Sequence, residues 1–229
     1  MKDIYENGEY LKKNPTWDAE DSAWKASKIS YIIDKNNIKF NTMADIGCGA
    51  GETLKTLSEK YVNCQFDGYD ISPNAFELTK NIVSENIDFY LQDFLKHSVR
   101  TYDISLLNDV FEHVTDPYTF LIDIRKKSKY VIFHIPLGAN ALNILRNGFI
   151  NEKKQWGHLH FYSKDTALEI LIDTGYEVID YMYTDFAFEL SDSKQDNVFN
   201  LGRRILNIFN KDFSVRVFGG SSLLVLARC

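Results

Sequence analysis

The sequence has little of what marks secreted, membrane-spanning or nucleic-acid-binding proteins. Cysteine occurs three times in 229 residues, without a C-x-x-C pair, which disfavours a disulfide framework and a structural zinc site. No stretch approaches the roughly 20 apolar residues of a membrane span, and the polar start MKDIYENGEYLKKN lacks a signal-peptide core. A net charge of -6 without a basic block argues against nucleic acid as a partner. We therefore expect a cytoplasmic protein.

What the sequence contains suits one α/β domain. Hydrophobic residues make up 45% of the chain, which is enough for a single full core. Residues 1–40 predict an N-terminal helical flap, and residues 41–229 predict a domain with cap insertions at about 137–162 and 188–220. Short apolar runs alternate with segments of helical spacing, which predicts a parallel sheet with helices on both faces.

Three glycines follow the first predicted strand, in the stretch MADIGCGAGETLKTL that begins at Met43. Gly47, Gly49 and Gly51 fall at the turn from strand to helix, where glycine allows a positive φ and the close approach of a ligand. The next predicted strand ends at Asp70, about 20 residues on, where doubly wound folds place an acidic residue against ribose hydroxyls. The pair predicts an adenosine-type cofactor at the edge where the two strands end.

The glycine spacing also bears on the kind of cofactor. The pattern is G-x-G-x-G rather than the G-x-G-x-x-G that cradles a pyrophosphate, and Glu52 at the helix start would repel a phosphate. A cofactor without a pyrophosphate therefore fits better than NAD. A nicotinamide-dependent oxidoreductase and a non-catalytic nucleoside-binding protein stay open as alternatives.

Five motifs of the chain follow the order seen in a known enzyme family: DIGCGAGE (45–52), GYDIS (68–72), LQDF (91–94), NDVFEHV (108–114) and VIFHIP (131–136). In these motifs the sequence resembles the class I S-adenosylmethionine-dependent methyltransferases. The resemblance implies a Rossmann-like fold with a seven-stranded, mostly parallel sheet of order 3-2-1-4-5-7-6. The segment SSLLVLA matches its antiparallel last strand, and NPTWDAEDSAWKA (14–26) resembles the start of bacterial small-molecule methyltransferases associated with glycan synthesis.

The resemblance implies which residues hold the amino-acid and methyl ends of S-adenosylmethionine. Asp45 is expected under the ammonium group, and Asn108 and Asp109 at the mouth where the methyl group leaves. From position alone, Trp24 and Lys25 are candidates to close the flap over the cofactor carboxylate. The loop residues expected to pack against the amino-acid part are Gly47, Cys48, Gly49 and Gly51.

The adenosine end is assigned in the same way. By the resemblance, Asp70 holds the ribose diol and Ile71 stacks on the adenine. Asp93 accepts a hydrogen bond from the adenine amino group, with Phe94 beside it. After methyl transfer the same residues are expected to hold S-adenosylhomocysteine.

Histidines are the candidates for acting on the acceptor, because a hydroxyl acceptor benefits from a general base and imidazole titrates in the useful range. His113 follows the fourth predicted strand beside the methyl exit, and His158 precedes a helix on the cofactor-facing edge. We predict these two as the catalytic bases. His97 is interpreted as a surface residue and His134 as a hydrogen-bonded core residue.

The same region offers a metal alternative. Asp109, Glu112 and His113, with His158 or His160, resemble the carboxylate–histidine cluster of metal-dependent methyltransferases that act on RNA ends or catechols. Two carboxylates and two imidazoles suit a divalent ion. Because E-H after this strand is also common in metal-free members of the superfamily, we predict chemistry without a metal.

The insertions indicate the acceptor. They carry cations among aromatic residues, which suits an anionic acceptor, although Lys153 and Lys154 are interpreted as solvated surface charges. We expect a hydroxyl or amine of a small molecule, such as a sugar or sugar nucleotide of surface-polysaccharide synthesis, and a homodimer is among the expected assemblies. The cations are Arg146, Lys153, Lys154, Arg203, Arg204 and Arg216.

Overall fold

A computed structural model describes residues 8–17, 19–185, 206–207 and 209–229 of the chain. Its centre is a single sheet of seven strands. In chain order they are β1 Thr42–Ile46, β2 Gln65–Asp70, β3 Ile87–Leu91, β4 Tyr102–Asn108, β5 Ser128–Pro136, β6 Glu177–Thr184 and β7 Ser222–Arg228.

The strands lie in the order β3-β2-β1-β4-β5-β7-β6. Strands β1 to β5 pair in parallel, and β7 runs antiparallel to both β5 and β6. The chain moves outward from β1 to β3 and then crosses back to β4, so the order reverses between β1 and β4. Ligands of doubly wound sheets bind at such a reversal, outside the carboxyl ends of the strands. The predicted fold and strand order are confirmed.

The described residues form ten α-helices and two short 3₁₀ helices, Ala19–Asp21 and Phe111–His113. The α-helices are α1 Glu9–Lys13, α2 Ser22–Lys35, α3 Glu52–Lys60, α4 Pro73–Thr79, α5 Phe94–His97, α6 Pro117–Arg125, α7 Ala141–Leu145, α8 Gly148–Gln155, α9 Lys164–Asp173 and α10 Lys211–Phe218.

Local sequence determines where several of these helices begin. The side chain of Ser72 accepts from the amide of Ala75 at 3.4 Å, and Asp116 accepts from the amide of Thr119 at 3.1 Å. In both cases proline occupies the first helical position, where its missing N–H costs nothing. The Ser72 cap fixes the start of α4 just after the end of β2, close to Asp70.

Helices cover both faces of the sheet because the central strands are apolar on both sides. Phe133 of β5 packs with Leu121 of α6 in one buried cluster. The next residue along β5, Ile132, packs with Ile29 and Ile33 of α2 in the other. Successive strand residues point to opposite faces, and each such buried side chain stabilises the fold by about 1.5–3 kcal/mol. The rigid sheet holds the strand ends in fixed relative positions.

The two predicted insertions are described to different extents. The first, 137–162, contains α7, α8 and the segment that leads to α9. Of the second, 188–220, residues 188–205 and 208 lie outside the described residues, and the remainder contains α10. The boundaries of the flap and of the cap insertions stay predictions. No helix of the described residues is both long and apolar enough to cross a membrane.

Candidate cofactor and acceptor site

The candidate site lies where β1, β2 and β4 end. The glycine loop follows β1 directly, and the amides of Gly47 and Cys48 both donate to the carbonyl oxygen of Tyr69, at 2.7 and 3.0 Å. These bonds join the loop to the end of β2. The turn after β1 therefore lies beside the turn after β2, at the crevice predicted for the cofactor.

Two glycines of the loop are required by its geometry. Gly49 and Gly51 have φ angles of +55° and +80°, which other residues rarely adopt. A Cβ atom at Gly49 would lie 2.7 Å from Cδ1 of Trp17, and one at Gly51 would lie 2.6 Å from Cζ of Phe89. The loop thus needs glycine both for its turn and for the close approach of aromatic neighbours.

Asp70 links the two turns of the crevice. One of its carboxylate oxygens accepts from the amide of Gly49 at 2.9 Å, and the other accepts from the amide of Ser72 at 2.8 Å. Both bonds are charge-assisted and fix the carboxylate at the end of β2. Beside it the apolar side chain of Ile71 is 46% exposed, so it offers an apolar surface at the same edge.

Two polar side chains near the loop carry buried atoms without a hydrogen-bond partner among the described residues. They are Oδ1 of Asp45 and both amide atoms of Asn108. Burial, and next the neighbouring Asp70, raise the pKa of Asp45 to about 7. Buried polar atoms usually have partners, so these atoms fit a ligand that brings donors and positive charge. The ammonium group of S-adenosylmethionine is such a donor, and the residues present therefore fit the cofactor.

Three other predicted cofactor residues have structural contacts of their own. Asp93 caps α5, accepting from the amides of Leu95 and Lys96 at 3.0 and 3.3 Å. Phe94 is 3% exposed and packs edge-on against Tyr69, inside the core. The thiol of Cys48 is protonated because burial raises its pKa well above the usual value. Their assignments to the cofactor stay predictions.

Asp109 belongs to a largely shielded ionic network, and its place at the mouth of the site stays a prediction. Its carboxylate lies 2.8 Å from Nδ1 of His134 and 2.9 Å from Nζ of Lys25, which also contacts Asp21 at 3.1 Å. Burial favours the neutral form of Asp109, but the charges of His134 and Lys25 outweigh it and lower its pKa. Burial likewise opposes charge on Lys25, but Asp109 and Asp21 raise its pKa. His134, whose Nε2 lies 2.9 Å from Oγ1 of Thr184, is the hydrogen-bonded core residue predicted.

The aromatic residue that covers the glycine loop is Trp17, which sequence reasoning missed. It has a φ angle of +55° and packs against Tyr10, with ring centroids 4.7 Å apart. Trp24, a residue predicted for the flap, lies edge-on to His134, with ring centroids 6.2 Å apart. A tryptophan in the segment NPTWD carries no periodic signal, so only the folded chain reveals its contact.

Glu112, His113 and His158 lie together and form the predicted acceptor side of the crevice. Glu112 is fully buried, and neither carboxyl oxygen has a hydrogen-bond partner in the described chain. Burial, and next Asp109, raise its pKa well above the ordinary value. Nε2 of His113 lies 3.7 Å from Oε1 of Glu112, and the rings of His113 and His158 are 4.9 Å apart. Burial, and next His158, lower the pKa of His113 to about 4, so its imidazole is neutral at physiological pH.

The same three residues are the candidate ligands if a metal ion binds here. Their ligand atoms lie within 4.8 Å of one another. Asp109 is engaged by Lys25 and His134, and Nε2 of His160 lies 2.9 Å from the carbonyl oxygen of Val114. One carboxylate and two imidazoles are donors that suit a divalent transition metal. Chemistry without a metal stays a prediction.

The strand order, the antiparallel last strand and the crevice after β1 and β2 define the fold of class I S-adenosylmethionine-dependent methyltransferases. The model of a family described as methyltransferase domain matches residues 20–181. The chain belongs to that family.

Comparisons with individual proteins agree with the family. The chain is 28% identical over 92 residues to malonyl-[acyl-carrier protein] O-methyltransferase 2 of Ilyobacter polytropus, 39% of this chain and 35% of that protein. It is 29% identical over 104 residues to norajmaline N-methyltransferase of Rauvolfia serpentina. That match covers 42% of this chain and 35% of the relative. These matches span about a third of the length of the curated relatives.

A solved structure shows the same fold over most of the chain. It is magnesium protoporphyrin IX methyltransferase from Synechocystis PCC 6803 with bound S-adenosylhomocysteine, at a TM-score of 0.60 and 15% identity. The likeness covers 90% of this chain and 83% of that one. The sequence-based predictions of the family, of the methyltransferase class and of its cofactor are thus confirmed at the level of the family.

Proposed function

We propose that the chain transfers a methyl group from S-adenosylmethionine to a hydroxyl or amine of a small molecule. The observation that carries the proposal is the arrangement of Asp70. Its carboxylate is held by amides of both turns of the crevice, next to the buried, unpartnered polar atoms of Asp45 and Asn108. A nucleoside with an attached ammonium group satisfies both features at once.

Each cofactor residue then has a physical role. Asp70 accepts from the ribose hydroxyls, and Ile71 covers the adenine. Asp45 accepts from the ammonium group, which also supplies the positive charge that this buried carboxyl lacks. Asn108 provides a donor and an acceptor to the same end of the cofactor. Because hydrogen bonds already hold the glycine loop in place, the loop loses little conformational freedom when the cofactor binds.

The cofactor supplies a methyl group on a sulfonium, which is already activated for displacement. The chain contributes mainly position, because holding two reactants in line removes much of the entropic barrier. We propose that His113 and His158 serve the acceptor, since both imidazoles lie beside Glu112 on the acceptor side. A neutral imidazole there accepts the proton that a hydroxyl or ammonium loses.

A sugar or sugar nucleotide is the finer proposal for the acceptor, and it rests on the composition of the insertions. Arg146, Lys153 and Lys154 are exposed, and Arg216 pairs with Asp165 and Asp212. Arg203 and Arg204 lie outside the described residues. An anionic acceptor, a role in polysaccharide synthesis, a cytoplasmic location and a homodimer therefore rest on the sequence alone.

Calorimetric titration tests the cofactor and the oxidoreductase alternative together. We expect S-adenosylhomocysteine to bind and NAD not to bind, because the loop lacks pyrophosphate spacing and Glu52 begins α3. Binding of NAD instead would reject the proposal.

Transfer of a labelled methyl group tests catalysis. The protein is incubated with labelled S-adenosylmethionine and a cell extract, and mass spectrometry identifies the labelled product. A protein that binds S-adenosylhomocysteine but labels nothing across such a panel would be a non-catalytic binding protein.

A further inference from the structure

Glu152 of α8 connects two parts of the cap through its carboxylate. Oε1 accepts from Nδ2 of Asn143 at 2.7 Å, and Oε2 lies 3.3 Å from Nδ1 of His158. The side chains of Glu152 and His158 are 19% and 12% exposed, so both interactions are largely shielded from water. This carboxylate–imidazole contact lies next to the acceptor side of the crevice and has no role in the function proposed above.

The partners of Glu152 are themselves fixed. The amide nitrogen Nδ2 of Asn143 also donates to the carbonyl oxygen of Gly138 at 2.8 Å, and the backbone N–H of Asn143 donates to Oδ1 of Asn140 at 2.9 Å. A Cβ atom at Gly138 would lie 2.9 Å from Oε2 of Glu152, so the backbone approaches the carboxylate closely. The carboxylate is therefore held in place before it meets His158.

The end of α8 brings His158 back over Glu152. The amides of Trp156 and Gly157 donate to the carbonyl oxygen of Glu152 at 2.8 and 3.2 Å, which closes the helix. Gly157 has a φ angle of +87°, and this left-handed turn reverses the chain. Glu152 and His158 thus meet across a helix end, and their contact does not depend on a distant element.

A carboxylate can only accept a hydrogen bond, so its contact assigns the proton of the neutral imidazole to Nδ1. Nε2 of His158 then carries the lone pair. The titratable groups that face His158 in the described chain are Glu152 from α8 and Glu112 and His113 from the 3₁₀ helix. Because the pKa of His113 is lowered to about 4, His113 stays neutral and adds no positive charge beside His158.

We infer that Glu152 is a positioning residue, which holds His158 in the Nδ1–H tautomer and stabilises its imidazolium when the acceptor gives up its proton. The inference rests on the function proposed above and assigns the base to His158. In the step, the acceptor proton goes to Nε2 of His158 and the acceptor lone pair bonds to the methyl carbon. The electron pair of the S–CH₃ bond stays on sulfur, which leaves as S-adenosylhomocysteine.

Nitrogen NMR of the full chain with labelled histidine, bound to S-adenosylhomocysteine, tests the inference without a known acceptor. The signals of His158 are assigned by their loss in His158→Asn. We expect the Nδ1–H tautomer in the wild-type protein. In Glu152→Gln we expect the Nε2–H tautomer to gain population, because an amide can donate as well as accept and no longer assigns the proton to Nδ1. Glu169→Gln, on the exposed face of α9, is the matched control and should leave the tautomer populations unchanged.

An Nε2–H tautomer in the wild-type protein would overturn the inference, even if Glu152→Gln were too unstable to study. Unchanged tautomer populations in a folded Glu152→Gln would overturn it as well. So would a shift of the His113 and His158 signals by one equivalent of Zn²⁺ or Mn²⁺ that chelator reverses, because His158 would then be a metal ligand. Failure of S-adenosylhomocysteine to bind the wild-type protein would instead reject the proposed function, and the tautomer is readable in either case.

Discussion

The cofactor side and the acceptor side of the crevice are built in different ways. The cofactor side consists of two turns that join neighbouring strands to their helices, and backbone amides hold its central carboxylate, Asp70. The acceptor side consists of side chains from distant segments, with Glu112 and His113 after β4 and His158 after α8. The comparison teaches that one half of the site is determined by local sequence and the other by the packing of the cap.

The largest expected effect is on the cofactor side. Asp70→Ala removes the proposed acceptor of the ribose hydroxyls and also the carboxylate to which the amides of Gly49 and Ser72 donate. We expect affinity for S-adenosylhomocysteine to fall on the order of a few hundredfold, as for the loss of two charge-assisted hydrogen bonds. Calorimetry measures the change, with Asp88→Ala, an exposed aspartate of β3, as the control. Unchanged affinity would remove Asp70 from the site.

The next effect separates the two halves of the site. Loss of a general base lowers turnover by about a hundredfold, whereas affinity for S-adenosylhomocysteine should stay within about twofold. We expect this for His158→Asn, with His113→Asn as the second candidate and the exposed His97→Asn as the control. The measurement is the rate of methyl transfer, in each variant, to the acceptor identified by the labelling experiment. Wild-type turnover in both variants would exclude either histidine as the base.

A smaller effect comes from the buried carboxyl under the ammonium group. Because the pKa of Asp45 is raised to about 7, the carboxyl is about half protonated at pH 7 and should lose that proton when the ammonium group binds. Titrations in buffers of different ionisation enthalpy should then show the release of about half a proton. Asp45→Asn should abolish the release and weaken binding about tenfold. Proton release that persists in the variant would contradict this role.

The same group should affect stability without the cofactor. A carboxyl whose pKa is higher in the folded chain than in the unfolded chain favours folding most below about pH 4. That contribution declines as the pH rises to about 7. Asp45→Asn should therefore be more stable than the wild type at pH 8, by at most about 4 kcal/mol, and the gain should shrink by pH 5. Denaturant unfolding at both pH values measures the difference, and an equal effect at both would refute it.

The smallest expected effect concerns the aromatic cover of the loop. Trp17→Ala removes a side chain that packs on Gly49 and Tyr10, and we expect affinity for S-adenosylhomocysteine to change about threefold. Trp24→Ala, which lies against His134, is the matched comparison and should have less effect on binding. A larger effect on binding for Trp24→Ala than for Trp17→Ala would support Trp24, as predicted from the sequence, as the residue that closes over the cofactor.

The sequence predicts the two turns of the crevice well because its signals there are short-range. Gly49, Gly51 and Asp70 follow apolar strands at fixed offsets, and the cap-and-proline pair at Ser72 fixes the start of the next helix. Strand order follows from the alternation of strands and helices together with the resemblance to the family. The physical reason is that each of these features is settled within one turn or one βα unit.

The acceptor half is harder to predict because Glu112 and His113 meet His158 from a distant segment, and Glu152 meets it through a single left-handed turn. The sequence identifies His113 and His158 as candidates but gives no sign of the carboxylate of Glu152, whose contact depends on the turn at Gly157. It offers Lys25 as a candidate for the cofactor carboxylate but gives no sign of the ion pairs that Lys25 forms with Asp109 and Asp21. Trp17 and Trp24 are indistinguishable by pattern, and only packing determines which of them covers the loop.

A crystal structure of the protein with S-adenosylhomocysteine tests the central claim most directly. We predict the ribose hydroxyls within hydrogen-bonding distance of Asp70 and the ammonium group against Asp45, between the turns that follow β1 and β2. A nucleoside bound elsewhere, or a crevice that stays empty at saturating ligand, would contradict the account.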